Sequence, residues 1–306
     1  MKRIIGDVYN VKPYSLGHLD CSVYLIDTKT NDGLILIDPG LYIEPIINIK
    51  EYGYNPKNIR HCLITHGHLD HFGVCHELKK INNNISYYIH ELDAEKVEQT
   101  SYDSYIENYY KGFEYRPIKI TIKIQKDGEN LRLGDYEIKC ISIPGHTLGS
   151  IAYYLETENQ KIIFGGDICG SALKLSGGNL VNYIKSMEKI LEFDIDILCE
   201  GHLNVIKPAE KVMEFIQACM MMNEYVHIVL EEDPHNIEVL YNLTLLEYEL
   251  GLYDNALDFC NYLIEINPDN LKAKELLKKI KRHNPPKFEF VKSYIEKFFS
   301  NQIYSK

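Results

Sequence analysis

Cys62-Leu63-Ile64-Thr65-His66-Gly67-His68-Leu69-Asp70-His71 leads an apolar run into four metal-ligating side chains, His66, His68, Asp70 and His71. Cys62–Thr65 reads as a strand, and the glycine-containing segment after it reads as a strand-exit loop. Residues two apart in such an exit point the same way, so His66 and His68 can converge on one cation. Asp70 and His71 fall at the start of the next helix, where they can serve a second cation beside the first. Further along, Pro144-Gly145-His146-Thr147, Gly165-Gly166-Asp167 and Glu200-Gly201-His202 each set a ligand just past the end of an apolar strand. A glycine at such a turn lets backbone and side chain approach closely. Imidazoles and carboxylates gathered in this way suit a pair of first-row divalent ions.

The surrounding pattern supports a mixed fold. Strands are expected at Val23–Ile26, Leu34–Ile37, Cys62–Thr65, Ser86–Ile89, Ile138–Ile143, Ile151–Leu155, Lys161–Phe164 and Ile195–Cys199. Two more, Lys119–Ile124 and Leu131–Leu133, flank the turn Lys126-Asp127-Gly128, and helices are expected at 43–52, 71–81, 91–111 and 179–191. This is an α/β (α+β) arrangement, a sandwich of sheets covered by helices. After Pro208 the strand signal stops, and 209–231 reads as one long amphipathic helix. Asp233-Pro234 and Asn267-Pro268 then recur 34 residues apart, with Leu240, Gly251, Tyr253, Ala256 and Cys260 between them. That spacing resembles one tetratricopeptide repeat, in which Gly251 ends one helix and Ala256 lets the next pack closely. Leu271–Arg282 reads as a capping helix, and Pro285-Pro286 separates it from a last amphipathic helix, Phe288–Phe299, with Val291, Ile295, Phe298 and Phe299 on its apolar stripe. Two domains are expected, 1–232 for the metal part and 233–306 for the all-helical part.

Composition bounds the function. The chain has 306 residues and a net charge of −11, which disfavours a partner bound through phosphate neutralisation, so no nucleic acid is expected. No apolar run approaches the roughly 20 residues that span a bilayer, so no membrane is expected either. Met1-Lys2-Arg3 leads through Ile4-Ile5 to Gly6-Asp7 with no apolar leader core. Eight scattered cysteines without a CxxC pair read as reduced thiols of a cytoplasmic protein.

Asp38-Pro39-Gly40, the HxHxDH run, His146, Asp167 and His202, in this order across residues 5–207, resemble the metallo-β-lactamase superfamily in its αββα hydrolase branch. The ligand set is similar to that of glyoxalase II. Carried over residue by residue, the resemblance implies that His66, His68 and His146 hold one metal and that Asp70, His71 and His202 hold the second. Asp167 would bridge the two, and Asp38 would support the ligand loop. It further implies two divalent ions, zinc first, with iron and manganese suited to the same ligands. A metal-bridging hydroxide would then act on a small ester, thioester or lactone, with Asp70 assisting as a catalytic acid. The alternatives are a phosphodiesterase of the same fold, a mononuclear-iron thiol dioxygenase, and a tetratricopeptide adaptor whose metal domain is inactive.

Departures from known branches narrow the field. A secreted antibiotic-degrading β-lactamase carries a leader and lacks the bridging aspartate, the reverse of this chain. Flavo-diiron proteins place a glutamate where His68 stands. Glutathione-thioester hydrolases share the seven ligands but run into an arginine-containing segment where this chain has Ile168-Cys169-Gly170-Ser171. Glu200 stands where proline is usual. His18 and Cys169 are candidates for the substrate pocket, while His61 and His76 are read as structural or solvated. His90 is read as a helix-boundary residue, and His227, His235 and His283 as parts of the tail. Tyr102, Tyr105, Tyr109, Tyr110 and Tyr115 are read first as packing residues. The C-terminal helices are expected to serve as a lid, a homodimer interface or a surface for a protein partner.

Overall fold

The apolar runs before Pro208 pair into two sheets in the computed structural model, which describes residues 1–12, 20–99, 113–172, 177–203, 205–250 and 253–282. The first sheet has seven strands side by side in chain order: β1 (Lys2–Ile5), β2 (Val8–Lys12), β3 (Val23–Asp27), β4 (Leu34–Ile37), β5 (Ile59–Leu63), β6 (Ser86–His90) and β7 (Ile122–Ile124). Its first four strands are antiparallel, and β4 to β7 run parallel. The second sheet has five strands: β12 (Ile197–Glu200), β11 (Gln160–Gly166), β10 (Ile151–Thr157), β9 (Tyr136–Ser142) and β8 (Glu129–Leu133). Only its β11–β12 pair is parallel.

The period of two along a strand decides which core each side chain enters. On β3 and β4, Tyr24, Ile26, Ile35 and Ile37 join Ile138, Tyr153, Ile162 and Phe164 of the second sheet in one buried cluster, so the two sheets face each other. Leu25, Leu34 and Leu36, one residue out of phase, pack instead with Ile46, Phe72, Leu78 and Val97. Those partners lie on or beside the covering helices α1 (Glu44–Ile47), α2 (Leu69–Phe72), α3 (Cys75–Ile81) and α4 (Glu91–Glu98). Against the second sheet, α5 (Leu180–Leu191) is strongly amphipathic and buries Tyr183, Met187 and Ile190. The outcome is the expected αββα sandwich.

Several elements differ from the sequence expectation for identifiable reasons. β1 and β2 were not anticipated: Lys2 and Arg3 give an exposed edge strand no apolar phase, and a buried polar Asn10 interrupts β2. The strand expected at Cys62–Thr65 ends at Leu63, because the Thr65 N–H turns aside to the Asp38 carboxylate. The helix expected at 71–81 is two helices separated at Gly73. Lys126-Asp127-Gly128 does not close a hairpin; it carries the chain from the edge of one sheet to the edge of the other. Of the helix expected at 91–111, Glu91–Glu98 is helical. Residues 100–112, with Tyr102, Tyr105, Tyr109 and Tyr110, lie outside the described residues, as do His18, Gly251, His283 and the segment 288–299.

The chain divides into two compact units, Met1–Val212 and Met213–Lys306. Helix α6 (Ala209–His227) continues into a π-helical turn, Ile228–Glu232. In the second unit, α7 (Ile237–Leu250) and α8 (Tyr253–Ile266) pack together, followed by α9 (Leu271–Lys281). Leu240, Leu243 and Leu246 recur at helical spacing on α7, and with Ala256, Cys260 and Leu263 of α8 they are fully buried. The 34-residue recurrence is visible atom by atom. Asn236 caps α7 by accepting from the Val239 N–H at 3.1 Å, and Asn270 caps α9 by accepting from the Ala273 N–H at 3.0 Å. Among the described residues no helix is long and apolar enough to cross a membrane.

Candidate metal centre

All seven ligand candidates arrive at the ends of strands or just beyond them. β5 delivers His66 and His68, α2 carries Asp70 and His71, and the segments after β9, β11 and β12 bring His146, Asp167 and His202. They meet as two groups. One ligating atom from each of His66, His68, His146 and Asp167 lies within 4.8 Å of the others, and the same holds for Asp70, His71 and His202. Asp167 faces both groups. Its Oδ2 lies 3.3 Å from His146 Nε2 and 3.9 Å from His66 Nε2, whereas its Oδ1 lies 3.0 Å from His71 Nε2 and 3.4 Å from His202 Nε2. Close approach has a steric requirement at Gly201, where a Cβ would stand 2.6 Å from Asp167 Oδ1.

The far sides of the imidazoles decide which nitrogen each presents. His71 Nδ1 faces Asp38 Oδ2 at 2.9 Å, and His146 Nδ1 donates to the Ser171 carbonyl at 2.8 Å. The Thr65 hydroxyl donates to Asp38 Oδ2 at 2.7 Å and lies 3.1 Å from His66 Nδ1, from which it can accept. At His66 and His146 these partners hold a proton outward and leave Nε2 with a lone pair pointing into the cluster. There the ring nitrogens crowd one another. His68 Nδ1 is 3.0 Å from His66 Nε2 and 2.8 Å from His146 Nε2, and His71 Nε2 is 3.2 Å from His202 Nε2. Asp167 Oδ1 is buried without a well-formed hydrogen bond. Converging imidazole nitrogens and an unsatisfied carboxylate oxygen are the donor set a cation needs, so the residues fit divalent metals. Asp38 itself sits at φ +47°, a strained position for a residue other than glycine, and its carboxylate makes three of these contacts.

Electrostatics distinguishes the two groups. Burial, reinforced by the neighbouring imidazoles, pushes His66 well below its usual range and His68 down to about 3, so both are neutral, as ligands must be. Burial also disfavours a charged His202, but Asp167 and Asp70 outweigh it and raise it to about 9. Burial likewise opposes ionised Asp70, and His71 and His202 overcome it to hold the carboxyl at about 2.

Two buried carboxylates to which the sequence assigns no role complete the surroundings. Asp93 on α4 accepts from the Gly67 N–H at 2.8 Å and from the Thr147 hydroxyl at 2.6 Å, and it pairs with Lys96 at 3.1 Å. In the sequence it looks like any acid in the first turn of a helix. Glu200, whose only signal was its stand-in for proline, accepts from the Cys169 N–H at 3.1 Å and from the His202 N–H at 2.6 Å. Burial and the nearby Asp167 raise its carboxyl to about 7. Cys169 is buried beside this loop, and all eight cysteines are buried with none in a disulfide. Among the described residues, three further histidines have structural partners: His61 with the Tyr88 hydroxyl, His76 with the Gly73 carbonyl, and His90 as the cap of α4. Tyr115 packs on Phe72 and donates to the Val97 carbonyl, as a packing residue does.

Comparison with known proteins agrees with this geometry. Residues 16–202 match the family model described as the metallo-beta-lactamase superfamily, and residues 237–283 match that of the Fis1 C-terminal tetratricopeptide repeat. A probable metallo-hydrolase of Bacillus subtilis, YqgX, is 27% identical over 194 residues, which span 61% of this chain and 87% of that protein. A hydroxyacylglutathione hydrolase of Citrobacter koseri is 26% identical over 213 residues, 68% of this chain and 72% of its own. Among solved structures, a β-lactamase from Chitinophaga pinensis superposes with a TM-score of 0.59 at 23% identity, covering 76% of this chain and 93% of that one. At that identity the likeness bears on the fold alone.

Proposed function

The chain belongs to the metallo-β-lactamase superfamily, and on that premise we propose that it is a dinuclear metal-dependent hydrolase of a small ester, thioester or lactone. The observation that carries this reading is the Asp167 carboxylate, whose two oxygens face the two ligand groups separately. When bound, a pair of divalent ions supplies Lewis-acid polarisation of a carbonyl oxygen and a water of lowered pKa. The remaining work belongs to the chain. His66, His68 and His146 would hold one ion, Asp70, His71 and His202 the other, and Asp167 would serve both. Asp38 keeps Thr65 and His71 in register. Asp70, held ionised by His71 and His202, is suited to ligate and to accept a proton at Oδ2 during turnover, and less suited to rest as a proton donor.

The completeness of the second group favours two ions over the single iron of a thiol dioxygenase, and zinc is the first choice for this mixture of imidazole and carboxylate. Buried thiols outside disulfides support a cytoplasmic setting, and the net charge of −11 supports a small-molecule substrate over a nucleic acid. We assign hydrolysis to residues 1–232 and substrate access or assembly, through a second copy or a protein partner, to 233–306. The test is a panel of ester, thioester, lactone and phosphodiester substrates on metal-reconstituted protein. Turnover of the carbonyl substrates is expected. Turnover confined to phosphodiesters, or oxygen uptake with a persulfide, would replace this reading.

A further inference from the structure

Outside the seven ligands, Asp93 and Glu200 are buried carboxylates that each join two ligand-bearing segments of distant sequence. Asp93 Oδ2 takes the Gly67 N–H, between His66 and His68, and the Thr147 hydroxyl, next to His146. All three ligands that it touches in this way belong to the first group. Glu200 divides its oxygens: Oε1 takes the N–H of Cys169, two residues after Asp167, and Oε2 takes the N–H of His202 itself. Those are the bridging ligand and a ligand of the second group. Each carboxylate is almost wholly removed from solvent, at 0% exposure for Asp93 and 1% for Glu200. Burying a carboxylate is costly unless its oxygens are met, and here they are met by the loops that must be held. Backbone N–H donors fix a loop more firmly than a side chain does, because they leave no rotamer to adjust.

We propose that Asp93 and Glu200 are positioning residues for separate halves of the centre, Asp93 for the first cation position and Glu200 for the second. This rests on the dinuclear reading above, and it adds that the two positions are supported, and lost, independently. Glu200 acts mainly on the second position because it grips His202 at that residue's own N–H but reaches Asp167 only across two residues. A replacement by glutamine keeps the size of the side chain and one acceptor oxygen, but turns an amide N–H₂ toward one of the two backbone N–H donors.

The experiment is cobalt(II) titration of metal-depleted full-length protein, followed by calorimetry and by the visible absorption of bound cobalt. The wild type measures the number of positions and so tests the dinuclear reading by itself. His68→Ala then isolates the second position, and His202→Ala the first. Glu200→Gln is expected to weaken cobalt binding about 10–100-fold in the His68→Ala background and to leave it within about twofold in the His202→Ala background. Asp93→Ala, which removes the single oxygen that accepts from both the Gly67 N–H and the Thr147 hydroxyl, is expected to give the mirror-image result. Two milder variants, Glu200→Asp and Thr147→Val, disturb the same contacts and repeat the pattern at smaller amplitude should either carboxylate variant fail to fold. Equal weakening of both positions by each carboxylate variant, or weakening of neither, overturns the proposal even if the wild type binds two cobalt ions.

Discussion

The strand-built unit and the helical unit bury polar side chains to different ends. Before residue 212, Asp38, Asp93 and Glu200 reach hydrogen-bond partners 27, 54 and 31 residues away, and each partner stands in or beside a ligand-bearing loop. After it, Asn223 donates to the Cys219 carbonyl and Thr244 to the Leu240 carbonyl, each four residues back on its own helix. Asn236 and Asn270 cap helices three residues ahead. Local bonds of the second kind satisfy a helix. Bonds of the first kind spend desolvation energy to hold distant loops in one geometry, which is the arrangement a reactive centre requires. At these residues the sequence separation between a buried polar group and its partner follows that difference.

That comparison yields tests of graded severity. The largest effect is expected at the proposed ligands: His66→Ala and His146→Ala abolish turnover, while His76→Ala, whose ring faces the Gly73 carbonyl at 3.0 Å, leaves it nearly intact. Steady-state kinetics of the three variants decides this, and a loss at His76 equal to that at His146 would break the sorting of histidines.

Next comes the pH dependence of metal binding. His202 carries a proton in the metal-free chain, since its value is raised from 6.5 to about 9. That proton stabilises the metal-free fold below pH 6.5, and the contribution is lost as the pH passes about 9. A cation must displace it, so affinity should climb with pH toward that point and binding should release protons. Calorimetry in buffers of different ionisation enthalpy measures the release. A falling affinity over the same range would contradict the assignment of His202 as a ligand.

Smaller still is the effect of removing the helical region. Truncation at Asp233 is expected to preserve both metals while changing KM or oligomeric state, as read by kinetics and light scattering. Loss of both metals from a folded truncated protein would end this division of labour. Smallest is Asn270→Ala, which removes a helix cap and should lower stability by about 1 kcal/mol in thermal unfolding, with metal content unchanged.

The candidate ligands are legible in one dimension because five of the seven lie beside a glycine at a strand end, and Asp70 and His71 close the same HxHxDH run. β4 was read to the residue, since Leu34–Ile37 is a pure apolar run between turn signals. The helical repeat was equally legible, because its 34-residue recurrence reappears in two equivalent caps. What escaped is non-local. Nothing around Asp93 distinguishes it from an acid placed at the start of a helix for the dipole, and only folding brings Gly67 and Thr147 to it. Glu200 was visible as a departure but not as a clamp, because its two N–H partners lie on either side of a sheet connection. The edge strand β1 was hidden by charge and its neighbour β2 by Asn10, whose burial no alternation announces.

The most direct test of the central claim is the metal content of the wild type beside that of Asp167→Ala, measured by elemental analysis after loading with zinc. Two zinc ions per chain in the wild type, and loss of metal together with activity in the variant, is the result predicted for a carboxylate whose two oxygens serve two ions. At most one zinc ion in the loaded wild type, unchanged in Asp167→Ala, would contradict it.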